Sequence, residues 1–162
     1  MSDSYNSISP NELRRLIGRP DCPPVIDVRR RAVFDAADSL IPGARWCDYA
    51  EAGRWAQHLP PGADIIVYCA HGHNVSQAAI ADLRRLGFRA RALAGGIEAY
   101  AEQGGLLLMK SAMPPGGWEA PSGDEWGPAW WIGRSEATLL VPLAAPPGAV
   151  EIALTTRTRL DD

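Results

Sequence analysis

One six-residue run limits the fold of this chain more than any other stretch. Asp64-Ile65-Ile66-Val67-Tyr68-Cys69 is apolar and largely β-branched on both of the faces that a strand presents. Such a strand belongs in the middle of a parallel sheet, covered by helices on both sides. A helical pattern follows it, Val75 to Leu86, with Val75, Ala78, Ala79 and Leu83 (or Leu86) predicted to face inward and Gly87 placed as its stop. The same alternation continues on either side. Ser9-Pro10-Asn11-Glu12 opens a helix: Ser9 caps, Pro10 fits the first turn, Glu12 closes a capping box, and Leu13, Leu16 and Ile17 form the apolar face. Pro24 to Val28 reads as a short buried strand, Arg30 to Ala37 as a weak helix, and Ile41-Pro42-Gly43-Ala44 as a turn. Asp48 to His58 is predicted as a helix, Ala90 to Leu93 as a strand and Gly96 to Gln103 as a helix. Strands alternating with helices specify an α/β fold, a parallel sheet flanked by helices.

The pattern changes near Lys110. The chain up to Lys110 has a net charge of +1, and the rest has −4. Residues 105–162 form an extension rich in Pro, Gly and Trp that holds Trp118, Trp126, Trp130 and Trp131. Thr138 to Leu143 and Val150 to Leu154 flank a Pro-Pro-Gly turn, so a β hairpin is expected over residues 138–154. The tryptophans either staple the extension onto the main domain or form a surface for a protein partner, including a second copy of the chain.

Composition removes several classes of function. With 162 residues, one core needs no disulfides or metals to support it. A net charge of −3 argues against nucleic-acid binding. No run of apolar residues reaches the length of a membrane span, and the polar start Met1-Ser2-Asp3-Ser4 lacks a secretory core. Cys22, Cys47 and Cys69 are an odd number with no Cys-x-x-Cys pair, which fits a reducing cytoplasm better than a disulfide framework or zinc site. Fifteen of the sixteen basic residues are arginine, a bias expected of a GC-rich bacterial genome and read as no chemistry.

The chemistry is expected in Cys69-Ala70-His71-Gly72-His73-Asn74, between the clearest strand and the clearest helix. Parallel α/β sheets bind ligands beyond the carboxyl ends of their strands. The free N–H groups and dipole of a following helix favour an anion, and a thiolate there is easier to form. Gly72 lets the backbone aim its N–H groups at a common centre. The residue pattern alone thus describes a nucleophile, Cys69, in an anion cradle made by Ala70, His71, Gly72, His73, Asn74 and Val75. Asn74 and Ser76 are candidates to hydrogen-bond within the loop or cap the helix. Asp27 and Arg29 are either a supporting pair close to Cys69 or a structural ion pair. No metal is expected, because adjacent loop residues such as His71 and His73 rarely supply converging ligands.

Four separated pieces give this region a resemblance to the rhodanese-like (sulfurtransferase) family over residues 7–104. Val25-Ile26-Asp27-Val28-Arg29 resembles the family's Asp-x-Arg strand end, and Ile41-Pro42-Gly43-Ala44 its Ile-Pro-Gly-Ala turn. Val67-Tyr68-Cys69 with Gly72 is similar to its active-site strand and loop, and Leu93-Ala94-Gly95-Gly96-Ile97 to its Leu-x-Gly-Gly signature. The resemblance implies a rhodanese-like parallel sheet and a sulfurtransferase that needs no cofactor. Cys69 would take a sulfane sulfur from thiosulfate or a persulfide, carry it as a persulfide, and pass it to a thiol or cyanide-type acceptor. The chain departs from the pattern in one respect. Many catalytic members carry an arginine directly after the cysteine or five places after it, where this chain has Ala70 and Asn74. His71 and His73 carry charge only when protonated. Phosphatases of this fold end a longer loop in arginine, where this chain has Val75, which argues against phosphoryl transfer. A regulatory, redox-sensing or anion-binding module is the alternative, since an accessible acidic thiol is also what a sensor needs.

Overall fold

A computed structural model describes residues 7–19 and 21–112. The strands are β1 (Ser7–Ile8), β2 (Val25–Asp27), β3 (Ser39–Leu40), β4 (Arg45–Trp46), β5 (Asp64–Tyr68), β6 (Arg89–Leu93) and β7 (Leu108–Met109). The α-helices are α1 (Pro10–Leu16), α2 (Arg31–Ala36), α3 (Ala52–Trp55), α4 (Asn74–Arg85) and α5 (Gly96–Glu102). Five strands form one parallel sheet in the order β1-β6-β5-β2-β4, and β3 pairs antiparallel with β7 beside it.

The apolar run is the central strand, as its two-sided pattern requires. Ile65, Val67 and Cys69 pack on one face with Ile26, Val28, Cys47, Ala52 and Trp55 of α3, and Ala79, Ile80 and Leu83 of α4. Ile66 and Tyr68 pack on the other with Val25, Leu13 of α1, and Ile97 and Tyr100 of α5. The result is three layers, helix–sheet–helix. Each fully buried aliphatic side chain contributes about 2 kcal/mol, so this double-sided core is what holds β5 rigid.

Strand order determines where a site can form. From β5 the chain continues to β6 on one side, and from β2 it continues to β4 on the other. The crevice of a parallel sheet opens at such a reversal, beyond the carboxyl ends of the two strands. Cys69 stands there, one residue past the end of β5.

Local chemistry explains most boundaries. Ser9 and Glu12 form the expected capping box: Glu12 N–H donates to Ser9 Oγ at 3.2 Å, and Ser9 N–H donates to Glu12 Oε2 at 2.9 Å. Such a cap stabilises a helix end by about 1 kcal/mol. At the end of α4, Gly87 takes a φ of +89°. Its N–H donates to Arg84 O at 3.0 Å and that of Phe88 to Leu83 O at 3.0 Å, a Schellman stop. Pro42 and Gly43 (φ +78°) form the expected turn, closed by Ala44 N–H on Ile41 O at 3.0 Å.

Two expectations are corrected. Asp48–His58 is not one helix but a 3₁₀ turn at Tyr49–Glu51, the single turn α3, and a second 3₁₀ turn at Ala56–His58. Asp48 bends the chain there: its side chain accepts from Ala50 N–H at 2.9 Å, and its carbonyl accepts from Trp55 Nε1 at 2.9 Å. On α4, Ala78 faces solvent, as does Leu86 just past its end, and Ile80 joins Ala79 and Leu83 inside. The hairpin expected at 138–154 and the four tryptophans of the extension lie outside the described residues.

Candidate active site

Cys69 is 7% exposed, at the floor of the loop between β5 and α4. Two helix N-termini shape that loop. The N–H groups of Ile97 and Glu98, at the start of α5, donate to the carbonyls of Cys69 (3.0 Å) and Ala70 (3.2 Å). With those carbonyls held toward α5, the next N–H groups turn toward the sulfur. Gly72 takes a φ of +76°, and a Cβ on it would lie 3.0 Å from both Leu93 O and Gly95 N. Gly96 has a φ of +64°, and a Cβ there would overlap the carbonyl oxygens of Cys69 and Ala70. The second glycine of Leu93-Ala94-Gly95-Gly96-Ile97 therefore has a physical role: Gly96 lets α5 dock against the loop backbone, while a Cβ on Gly95 would strike Ala99 within α5 itself.

Charge at the sulfur is set by hydrogen bonding. Burial acts against ionisation of Cys69, but the Ser76 hydroxyl and the N–H groups of Ser76, Gly72 and His71 outweigh it, so the thiol is more acidic than an ordinary cysteine. Cys69 Sγ lies 3.5 Å from Ser76 Oγ, and Ser76 Oγ donates to His73 O at 2.9 Å. Ser76, on the first turn of α4, is fully buried.

The residues expected in the cradle divide by role. His71 and Gly72 turn their N–H groups to the sulfur, while Ala70 offers its carbonyl to α5. His73 precedes α4 and supplies a carbonyl; its side chain and that of Asn74 are exposed, and His73, at the N-cap position, makes no capping bond. Val75 packs half-buried against the core. His71 Nδ1 lies 2.8 Å from Glu98 Oε2, an exposed contact tying the loop to α5. Sequence reasoning missed Ser76 as a partner of the sulfur. Its signal was a hydroxyl at the third residue of the helix, still on the first turn, where the side chain reaches back to the loop.

Asp27 and Arg29 meet each other but are not brought to the Cys69 sulfur. Asp27 pairs in register with Tyr68, so its side chain falls on the Tyr68 side of the sheet, whereas Cys69 packs on the other. Arg29 grips the buried Asp27 carboxylate through Nε (2.9 Å) and Nη2 (2.6 Å), and Nη2 also donates to Ser39 O at 2.9 Å. Burial works against the Arg29 charge, but Asp27 outweighs it and raises the guanidinium above its ordinary value. This pair braces the segment leading into the Pro42-Gly43 turn, where Ile41 N–H donates to Tyr68 Oη at 3.2 Å. Among the described residues no three His, Cys, Asp or Glu side chains converge as a metal site would need.

This geometry agrees with a family comparison. The family model for the rhodanese-like domain matches residues 9–103. The chain belongs to the rhodanese-like domain family. Solved structures of similar fold include a rhodanese-related protein from Thermoplasma volcanium, 27% identical, covering 65% of this chain and 100% of that one with a TM-score of 0.56. A rhodanese-like domain protein from Staphylococcus aureus is 23% identical over 65% of this chain and 98% of its own, with a TM-score of 0.54. A thiosulfate sulfurtransferase from Pseudomonas aeruginosa shares the fold at 23% identity and a TM-score of 0.53; the match spans 64% of this chain but 19% of that one. A comparison with curated protein sequences found no match. The superfamily includes thiosulfate sulfurtransferases, and among the described residues no helix is long and apolar enough to cross a membrane.

Proposed function

We propose that this rhodanese-like domain is a sulfurtransferase that carries sulfane sulfur on Cys69. One observation carries the reading: the Ser76 hydroxyl oxygen lies 3.5 Å from the sulfur, and the N–H groups of Ser76, Gly72 and His71 surround it, at a cysteine on the switch point of the sheet. In the loading step the Cys69 thiolate attacks the outer sulfur of thiosulfate. The new Sγ–S bond forms as the sulfur–sulfonate bond breaks, and the electron pair leaves with sulfite. A low-molecular-weight persulfide serves in the same way, with a thiolate as leaving group. In delivery, an acceptor such as cyanide or a thiol attacks the outer sulfur, and the electron pair of the broken bond returns to Sγ as thiolate. The N–H groups of His71 and Gly72 hold the anion in both states. No cofactor takes part, because the cysteine itself is the carrier.

The rim favours persulfide over thiosulfate as donor. The acid Glu98 meets the loop through His71, and the two arginine positions of the family pattern hold Ala70 and Asn74. A dianion gains less there than a singly charged persulfide. All three cysteines are free thiols, which suits a reducing cytoplasm. Leu108 is buried and β7 pairs with β3, so the part of the 105–162 extension proposed as the surface for a protein partner or a second copy is the tryptophan-bearing stretch beyond residue 112.

The test is catalytic thiocyanate formation from cyanide with either thiosulfate or glutathione persulfide. Multiple turnovers by the wild type, faster with the persulfide and lost in Cys69→Ala, are expected. Thiocyanate formation that survives Cys69→Ala, or none from either donor, overturns the reading and leaves a redox-sensing module as the better account of the acidic thiol.

A further inference from the structure

Ser76 does more than complete the loop. Its hydroxyl stands between two acceptors, the Cys69 sulfur at 3.5 Å and the His73 carbonyl at 2.9 Å. The His73 carbonyl has a second donor, Gln77 N–H at 3.2 Å. It therefore stays satisfied if the hydroxyl turns away, and no buried acceptor is orphaned. From this we infer that Ser76 is a catalytic residue that controls the charge on Cys69 by rotation of its hydroxyl between these two acceptors. The inference rests on Cys69 being the reactive group and not on which sulfur donor it meets.

Each protonation state has a complete set of bonds. As a thiol, Cys69 donates S–H to Ser76 Oγ, and the hydroxyl donates to His73 O. When the proton leaves, Sγ can only accept, and the hydroxyl turns its proton to the sulfur. The change needs one side-chain torsion and no backbone motion. The fully buried oxygen meets no competing water, which strengthens a hydrogen bond to charge. In the persulfide the charge moves to the outer sulfur, and the hydroxyl returns to His73 O. On delivery the charge comes back to Sγ, and Ser76 meets it there. The residue thus promotes departure of the thiolate as well as its first formation.

The experiment is the pH dependence of Cys69 alkylation by iodoacetamide, read by peptide mass spectrometry in the wild type, Ser76→Ala and Ser76→Thr. Ser76→Ala keeps the Gln77 bond to His73 O and removes only the oxygen, so the fold is retained, with circular dichroism as the check. The midpoint of alkylation rises by about one pH unit in Ser76→Ala, about tenfold less thiolate near neutral pH, and Ser76→Thr stays near the wild type. A midpoint unchanged in Ser76→Ala overturns the inference, as does a Ser76→Thr shift equal to that of Ser76→Ala. If the midpoint moves as stated while neither sulfur donor loads the wild type, the proposed sulfurtransferase activity fails and the role of Ser76 stands.

Discussion

Two cysteines of this protein occupy equivalent places and have opposite chemistry. Cys69 follows β5 and Cys47 follows β4, each at the carboxyl end of a parallel strand and each buried in the same cluster. Burial raises the Cys47 thiol far above the ordinary range, and Asp27 adds to the effect more than Arg45 relieves it. Burial acts in the same direction on Cys69 and is overcome. What separates them is the next few residues. After Cys47 the chain continues the ladder, its N–H donating to Asp27 O at 2.9 Å, and runs into Asp48 and a 3₁₀ turn. After Cys69 a glycine at positive φ and a twelve-residue helix converge N–H groups on the sulfur. A strand-end cysteine is therefore not reactive because of its place in the sheet. It becomes reactive when the loop beyond it supplies donors.

The contrast can be broken by spoiling the loop while leaving the sulfur in place. Gly96→Ala puts a Cβ into the carbonyls of Cys69 and Ala70 at a backbone angle that side chains rarely adopt. A loss of about 3 kcal/mol of stability is expected, together with an alkaline shift of Cys69 alkylation. Urea denaturation and alkylation measure the two; unaltered values in both would show that the docking of α5 does not shape the cradle. Gly72→Ala, whose Cβ would meet its neighbours at 3.0 Å, is the milder version if Gly96→Ala fails to fold.

The contrast can be sharpened by titration. The thiolate is the reactive form, present above a thiol's pKa and lost as pH falls through it. Cys69, with its value lowered, reacts with iodoacetamide at pH values where Cys22 and Cys47, both raised by burial, stay thiols. Peptide-level rates from pH 6 to 10 should rank Cys69 first throughout; earlier labelling of Cys47 would reverse the comparison. The smallest effect is that of Cys47→Ala. It should cost about 1–2 kcal/mol in thermal or urea unfolding for lost packing and leave thiocyanate formation within about twofold of the wild type.

What the sequence disclosed follows physical range. β5, α4, the α1 cap and the Pro42-Gly43 turn were legible because each depends on residues within a few positions of one another. The four two-residue strands β1, β3, β4 and β7 were not, since two residues carry no period and their pairing is made by partners far along the chain. Asp48–His58 misled because its apolar residues have helical spacing while Asp48 ties up the backbone around them. Cys69 was legible as a strand end before a glycine loop. The contribution of Ser76 was not, because it depends on which face of α4 meets the loop. Asp27 and Arg29 were legible as a pair, but their side of the sheet depends on the register between β2 and β5, which no local pattern encodes.

The central claim is that Cys69 carries sulfur, and intact-protein mass spectrometry tests it most directly. Wild type and Cys69→Ala are each incubated with thiosulfate or glutathione persulfide, then chased with cyanide. The account predicts a gain of about 32 Da, one sulfur atom, on the wild type alone, removed by cyanide with release of thiocyanate. A gain of the same mass on Cys69→Ala, or a folded wild type that stays unmodified with both donors, would contradict it.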